Sequence, residues 1–420
     1  MKKLLGVLLV AVMSWPTNAT VLKNVEVVGE IQTIASDVRT NNEVDGFYNT
    51  GTSARVLAGL SADLVEDVTA NLLFQYANVW GDDSSAGRTA QNYWDNIRLV
   101  NANVALHNLL CAFDVTVGRQ FYGDEDSAVM YFGPNHYNAE FNGYTRSLDA
   151  LKIAYADDFK ALTLVAGRVN ASALVNGATG APVVTGNGFD IYGADFRLTP
   201  SDVMTAQVYG YGIRDIDTAY VVDGVVENYR DAHAGIYGAK LALTPEAFRA
   251  SVEYARNFGG KHLVKEHAGT GDMVKADVAL DIKAVTARGT FLYAKENFFA
   301  FGNYTPGLLI GHDLGGNIWN YAKDGVRMFN LGFDMKPAEK WLVSLDGYAF
   351  QGRHGHHAAT WEADLTAKYN HNEYVQLFAG VGYAKYGNDN FDAVTFNGLY
   401  NKTLRGKDNV KGQLGMLIKF

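Results

Sequence analysis

The 420-residue chain is short of several things, and each shortage removes a class of protein. A single cysteine, Cys111, rules out any intrachain disulfide and reads as a small apolar residue beside a turn. No stretch beyond the N-terminus approaches eighteen uninterrupted apolar residues, so no transmembrane helix is predicted. Thirty-six basic side chains against 45 acidic ones leave a formal charge of −9, which argues against a nucleic-acid partner. Only seven prolines occur; Pro200, Pro245 and Pro337 fall at expected turns, and Pro134, Pro182 and Pro306 in expected long loops. A proline inside a strand would remove a ladder hydrogen bond, and none is predicted to do so.

What is present is alternation. In the last eleven residues Val410, Gly412, Leu414, Met416, Ile418 and Phe420 alternate with Lys411, Gln413, Gly415, Leu417 and Lys419, the period of a strand with one apolar face. Segments of about ten residues with one apolar parity recur from Val25 onward. Val56, Ala58, Leu60, Ala62 and Leu64 form one such stripe, and Phe329, Leu331, Phe333 and Met335 another. Eighteen strands are predicted, with sixteen as the alternative. Their connections alternate in length: short at Val65–Val68, Thr199–Asp202, Thr244–Ala247 and Lys336–Lys340, and long at Ser36–Gly51, Gly81–Asn96, Phe121–Ser147, Val169–Gly188 and Glu296–Gly325. Eight turns on one side and nine loops on the other make an all-β, up-and-down antiparallel barrel. Closure is required because unpaired strand edges are not tolerated in hydrocarbon.

At the N-terminus Lys2 and Lys3 precede the apolar run Leu4–Met13 and a small-residue site ending at Ala19, the pattern of a secretory signal peptide. Residues 1–19 are expected to be removed, and residues 20–420 to form one barrel domain. So few residues separate Ala19 from Val25 that a plugged receptor is not expected.

The signal peptide, the segment VTVGRQF at Val115–Phe121 leading into a long loop, the hairpins RLTPSD and LALTPEAF, and the terminal LIKF together resemble the porins of Gram-negative outer membranes. Eighteen strands are most similar to the substrate-selective and alginate-export porins. The resemblance implies a passive channel for small hydrophilic solutes or ions in the outer membrane, without catalysis or cofactor. It leaves open a homotrimer or a monomer, and two rival functions: export of an acidic, alginate-like polysaccharide, and a plugged adhesive barrel. A dedicated polyanion exporter should show a strongly basic path. The parity opposite the apolar stripes holds ten cations (Arg55, Lys152, Arg197, Lys240, Arg249, Lys275, Arg288, Lys368, Lys411 and Lys419). It holds twelve anions (Glu26, Glu30, Asp63, Asp114, Asp195, Glu253, Asp277, Asp281, Asp334, Asp346, Glu362 and Asp364), which is near balance.

By its order the third long loop corresponds to the loop that narrows porin channels, and it carries Asp124, Glu125, Asp126, Glu140 and Arg146. Folded inward, it would make the channel weakly cation-selective. The alternative is a solvated charge run on an external loop. Toward the long-loop end of the lipid-facing parity, cations recur: Arg98, Arg119, Arg168, Arg214, Arg256, Lys295, Arg327, Arg353 and Lys385. They are candidates for binding lipopolysaccharide phosphates, arginine's fork matching a phosphate. The alternatives are plain snorkelling at the interface and, for Arg119 and Arg168, a bulge at the preceding glycine that turns the side chain into the pore. His354, His356 and His357 lack a fourth ligand at metal spacing and read as solvated loop residues.

Overall fold

The computed structural model describes residues 22–40, 48–80, 97–110, 112–136, 145–169, 189–222, 225–259, 270–295, 298–304, 306–310, 325–352, 359–387 and 408–420. The expected signal peptide, Cys111, Pro182, Glu140, Arg353 and the three histidines at 354, 356 and 357 lie outside these residues.

Eighteen strands form one sheet. They are β1 (Lys23–Thr40), β2 (Tyr48–Val65), β3 (Val68–Trp80), β4 (Ile97–Leu109), β5 (Phe113–Gln120), β6 (Leu148–Ala156), β7 (Lys160–Val169), β8 (Phe189–Ser201) and β9 (Met204–Val222), followed by β10 (Val225–Leu243), β11 (Phe248–Gly259), β12 (Gly271–Ile282), β13 (Val285–Ala294), β14 (Val326–Met335), β15 (Trp341–Gly352), β16 (Thr360–Asn370), β17 (Val375–Lys385) and β18 (Asp408–Lys419). Each strand pairs antiparallel with its sequence neighbours, and β1 also pairs with β18, so the sheet closes and no edge remains. The chain ends meet in that seam, where Gly29 and Phe420 exchange backbone hydrogen bonds of 2.8 and 3.0 Å.

Strand β14 shows why the sequence chooses this form. Val326, Met328 and Asn330 are buried inside, while Phe329 and Leu331 are 57% and 59% exposed outside. Large apolar side chains are similarly exposed right round the barrel, among them Val117, Leu164, Val252, Leu365 and Leu414. A continuous apolar band of that size is not compatible with water, and it matches the hydrocarbon-facing belt of a transmembrane barrel.

Three sequence expectations are corrected. The loop expected over Ser36–Gly51 is shorter, because β1 and β2 keep their pairing from Ser36↔Gly51 up to Arg39↔Tyr48. The added pairs Asp37↔Thr50, Val38↔Asn49 and Arg39↔Tyr48 hold one aliphatic residue, Val38, which is too little to read as an apolar stripe. Pro200 lies within the last residues of β8, where the register with β9 shifts between Leu198 and Ser201, so the missing N–H falls at an irregularity. Arg98 does not continue the outer parity of β4. The ladder pairs Asn101 with Leu73 and Leu99 with Phe74, which leaves Val100 as an extra residue and reverses the faces beyond it. Arg98 is thereby paired with the buried, inward Gln75.

Candidate pore constriction

The described residues of the third long loop, 121–136 and 145–147, lie inside the barrel rather than over its mouth. Residues Tyr122 and Phe132 pair with each other, and the segment between them pairs side by side, in parallel, with residues from the loop after β13. The Tyr131 N–H donates to the Phe301 carbonyl (2.9 Å), the Phe301 N–H to Val129 (2.8 Å) and the Asn303 N–H to Ser127 (2.9 Å). This approach needs Gly302, since a Cβ there would overlap the backbone of Ser127 and Ala128. The second inward segment was not predicted; by sequence the stretch Glu296–Gly325 reads as an ordinary long loop.

Both segments are lashed to the wall by side chains that the inward parity supplies. On one side the buried Arg55 donates to Glu30 (2.8 Å) and to the Asn135 carbonyl (2.8 Å), while Gln32 donates to the His136 carbonyl (3.0 Å). His136 then sits between two carboxylates: Nε2 lies 2.6 Å from Glu30, Nδ1 lies 2.8 Å from Glu125, and its backbone N–H donates to Glu125 at 2.6 Å. On the other side the chain begins a helical turn at Gly307, whose φ of 79° suits glycine. The exposed N–H groups of that turn are taken by β16: Leu308 donates to Asp364 (2.9 Å), and Leu309 and Ile310 donate to Glu362 (2.7 and 2.9 Å). The fully buried Lys411 donates to the Leu308 carbonyl at 2.7 Å. Further round, Tyr122 contacts Tyr211 (3.3 Å) and Lys275 stacks on Tyr304 at 4.6 Å.

The two segments divide the lumen. A space of about 550 Å³ lies between them and β15–β18, bordered by Glu125, Asp126, His136, Tyr304, Asp364 and Lys368. A second, of about 380 Å³, lies against β6–β11 and is bordered by Asp124, Asp126, Lys152, Asp195, Arg197 and Lys240. Toward the long-loop side the inner wall is not polar. Ile191, Ile213, Ile236, Met273, Val326 and Met328 are buried there against Phe132 and Phe298 of the inward segments. This apolar packing departs from the sequence expectation of a charged, nearly balanced inner parity. Strands β12 and β14 carry apolar residues on both faces at that height, and an alternation read from its outer stripe hides the inner one.

Among the inner-face charges, most are paired. Arg288 forks onto Asp334 (2.6 and 2.8 Å) and reaches Asp346 (3.1 Å). Lys275 meets Asp277 (2.6 Å), Arg249 meets Asp281 (3.0 Å), and Tyr209 donates to the buried Glu253 (2.6 Å). Of the loop acids, Asp124 lies 3.5 Å from Arg197, Glu125 is engaged by His136, and Asp126 borders both spaces. Arg146 stands between Thr145, whose N–H donates to Gln75 (2.8 Å), and Ser147, whose hydroxyl donates to Val100 (2.6 Å).

On the outer face Arg119, Asp149, Arg168, Asp190 and Arg214 occupy consecutive register positions across β5 to β9. Arg119 grips Asp149 with two bonds of 2.6 Å, Arg168 meets Asp190 at 2.9 Å, and Arg214 stacks on Tyr192 at 5.0 Å. No register shift occurs at Gly118 or Gly167, so neither arginine is turned inward. Arg256 lies opposite Asp272 (3.6 Å), Lys385 opposite Trp361 and Asp408, and Arg327 opposite Tyr293 and Gln351. The Lys295 N–H donates to the Asp272 carbonyl at 2.8 Å. The interleaved aspartates had no signal in a search for cations alone; the register makes them visible.

No family model matches the chain, and no curated protein matches it in sequence. Solved structures do match in fold. Pseudomonas aeruginosa OccK11 (OpdR) aligns over 95% of this chain and 96% of its own, at 10% identity and a TM-score of 0.60. Acinetobacter baumannii OccAB2 aligns over 94% and 98%, at 10% identity and 0.60. Pseudomonas aeruginosa OpdK, solved with vanillate, aligns over 95% and 99%, at 9% identity and 0.59. These are 18-stranded outer-membrane porins, and the chain shares their fold.

Proposed function

We propose that the chain is an outer-membrane porin through which small hydrophilic solutes diffuse passively. The observation that carries this is a closed barrel with an apolar outer belt and two wall-anchored loop segments inside it, beside which lie spaces of about 380 and 550 Å³ lined by charges of both signs. The paired charges of both signs in those spaces speak against a dedicated path for an acidic polymer, which one sign of charge would favour. Selectivity falls to the few charges left over from pairing. With Asp124 near Arg197 and Glu125 bound to His136, Asp126 is the acid that gives the constriction its weak preference for cations.

Single-channel conductance of the barrel in a planar bilayer, with the reversal potential taken across a potassium chloride gradient, tests this reading. A stable conductance with modest cation preference is expected. Asp126→Asn should lower that preference more than Asp124→Asn, because among the described residues Asp124 has Arg197 at 3.5 Å and Asp126 has no ion-pair partner. Absence of conductance from folded, inserted protein would instead favour a plugged surface barrel, and a clear anion preference would favour polysaccharide export.

The outer rim supports a second element of the proposal, contact with lipopolysaccharide phosphates. Arg214, Arg256, Arg327 and Lys385 stand on the lipid-facing parity at the long-loop end, where an anionic surface attracts each cation. Replacing all four with glutamine should lower the lipopolysaccharide that co-purifies with the barrel. Unchanged co-purification would leave the rim as interface-marking charge and nothing more.

A further inference from the structure

Nothing in the sequence singles out His136, yet it is the one imidazole enclosed between two carboxylates among the described residues. Carboxylates only accept hydrogen bonds, and a neutral imidazole has a single N–H to give. With Nε2 at 2.6 Å from Glu30 and Nδ1 at 2.8 Å from Glu125, both ring nitrogens face acceptors. The geometry is satisfied when the ring carries two protons and is charged. Glu30 belongs to the wall and Glu125 to the inward loop, so that proton joins loop to barrel.

We infer that His136 is a proton-operated clamp: protonated, it locks the third loop to β1 and β2; deprotonated, it lets go of one carboxylate and leaves an uncompensated acid beside the 550 Å³ space. The inference rests on the channel reading for its consequence, but the clamp itself stands on contacts alone. The charged and titratable groups around the ring are Glu30 from β1, Arg55 from β2, and Glu125, Asp126 and Tyr131 from the loop. Across the space stand Lys368, Lys419, Asp346, Asp364 and Glu373. Glu30 keeps its hydrogen bond from Arg55 when the ring goes neutral, whereas Glu125 keeps, as its hydrogen-bond donor among the described residues, the His136 backbone N–H, with the charges of Arg55 and Lys368 acting from farther off. The acid exposed by deprotonation is therefore Glu125.

The sign follows. Burial opposes the charge on His136, but the hydrogen bonds it donates to Glu125 and Glu30, with their negative charges, outweigh that and hold the ring above its ordinary value of 6.5. A group whose value is raised by folding contributes its full share below the ordinary value, and that share fades as pH rises through the raised one. The clamp is closed under acid conditions and opens toward alkaline ones. Above the transition the constriction gains one negative charge and a looser tether, so cation preference and open-channel noise both rise.

Two measurements on the intact barrel test this. Nitrogen-15 NMR of labelled histidine, assigned by comparison with His136→Gln, should show both His136 nitrogens protonated at pH 6.5, with deprotonation only above it. A titration at or below 6.5 overturns the clamp whether or not the barrel conducts. In planar bilayers the cation preference of the wild type should rise between pH 6 and 9, while His136→Gln gives a flat profile over that range. The same rise in wild type and variant would place the titrating group elsewhere and overturn the inference. Should His136→Gln fail to insert, Glu125→Gln serves instead, because it removes the acid that deprotonation exposes and is likewise expected to flatten the profile. Absence of conductance with a raised NMR titration would remove the channel reading and keep the clamp.

Discussion

Glu30→Ala is expected to cost the folded barrel about 3–5 kcal/mol, the usual penalty for removing one partner of a buried ion pair. The side chains of Arg55 and Glu30 are 3% and 9% exposed, so the guanidinium left behind can recruit little water. It would keep one bond, to the Asn135 carbonyl. The loss also reaches the loop, because His136 would be left with Glu125 alone and the 135–136 end of the segment would be held to β1 and β2 by Gln32 and Arg55. Urea unfolding from lipid vesicles, comparing midpoints at a constant slope, measures the cost. Glu30→Gln should cost less, since its amide oxygen still accepts from Arg55. The double replacement Glu30→Leu with Arg55→Met should recover part of the loss, because removing both charges removes the desolvation penalty along with the attraction. A loss below about 1 kcal/mol for Glu30→Ala would mean that the pair is hydrated and behaves as a surface one.

How far this site was legible depends on the range over which its parts cooperate. Strand positions, turn placement and the side each residue faces follow from local alternation, and Arg55, Glu362 and Asp364 could be placed on the inner face from parity alone. What those residues do there is set by partners far away in sequence. Glu30 and His136 are 106 positions apart, Lys411 and Leu308 are 103 apart, and neither strand pattern hints at the other. The second inward segment was illegible for the same reason: its anchors are the β16 carboxylates, which read as ordinary lumen acids until the N–H groups of Leu308, Leu309 and Ile310 are seen pointing at them. Arg98 failed for a different cause. One extra residue in β4 reverses the faces of residues 97–99 before it, and Val100 looks like any other strand valine. The buried inner residues Ile213, Ile236 and Met328 were missed because apolar side chains on both faces of a strand look, by parity, like a strand with a merely weak polar face.

The outer belt yields the other large effect. Leu331→Arg is expected to destabilise the barrel by about 2–4 kcal/mol in lipid, the depth-dependent cost of a cation on the hydrocarbon face near the bilayer midplane. Arg327 is on the same strand and the same face, four residues nearer the long loops, which at about 3.3 Å per residue is roughly 13 Å. There the same side chain already exists and stays within reach of the headgroups, where its cost falls to about 0–1 kcal/mol. One residue type at two heights of β14 therefore brackets the position of the bilayer. The unfolding free energies of Leu331→Arg and Arg327→Leu in the same vesicles supply the comparison, the first expected to be large and the second small. Repeating Leu331→Arg in a short-chain lipid should shrink its cost, because a thinner film shortens the path by which the guanidinium snorkels to water. Equal stability of Leu331→Arg and wild type in both lipids would mean that this face does not meet hydrocarbon, and the transmembrane reading of the apolar belt would fall with it.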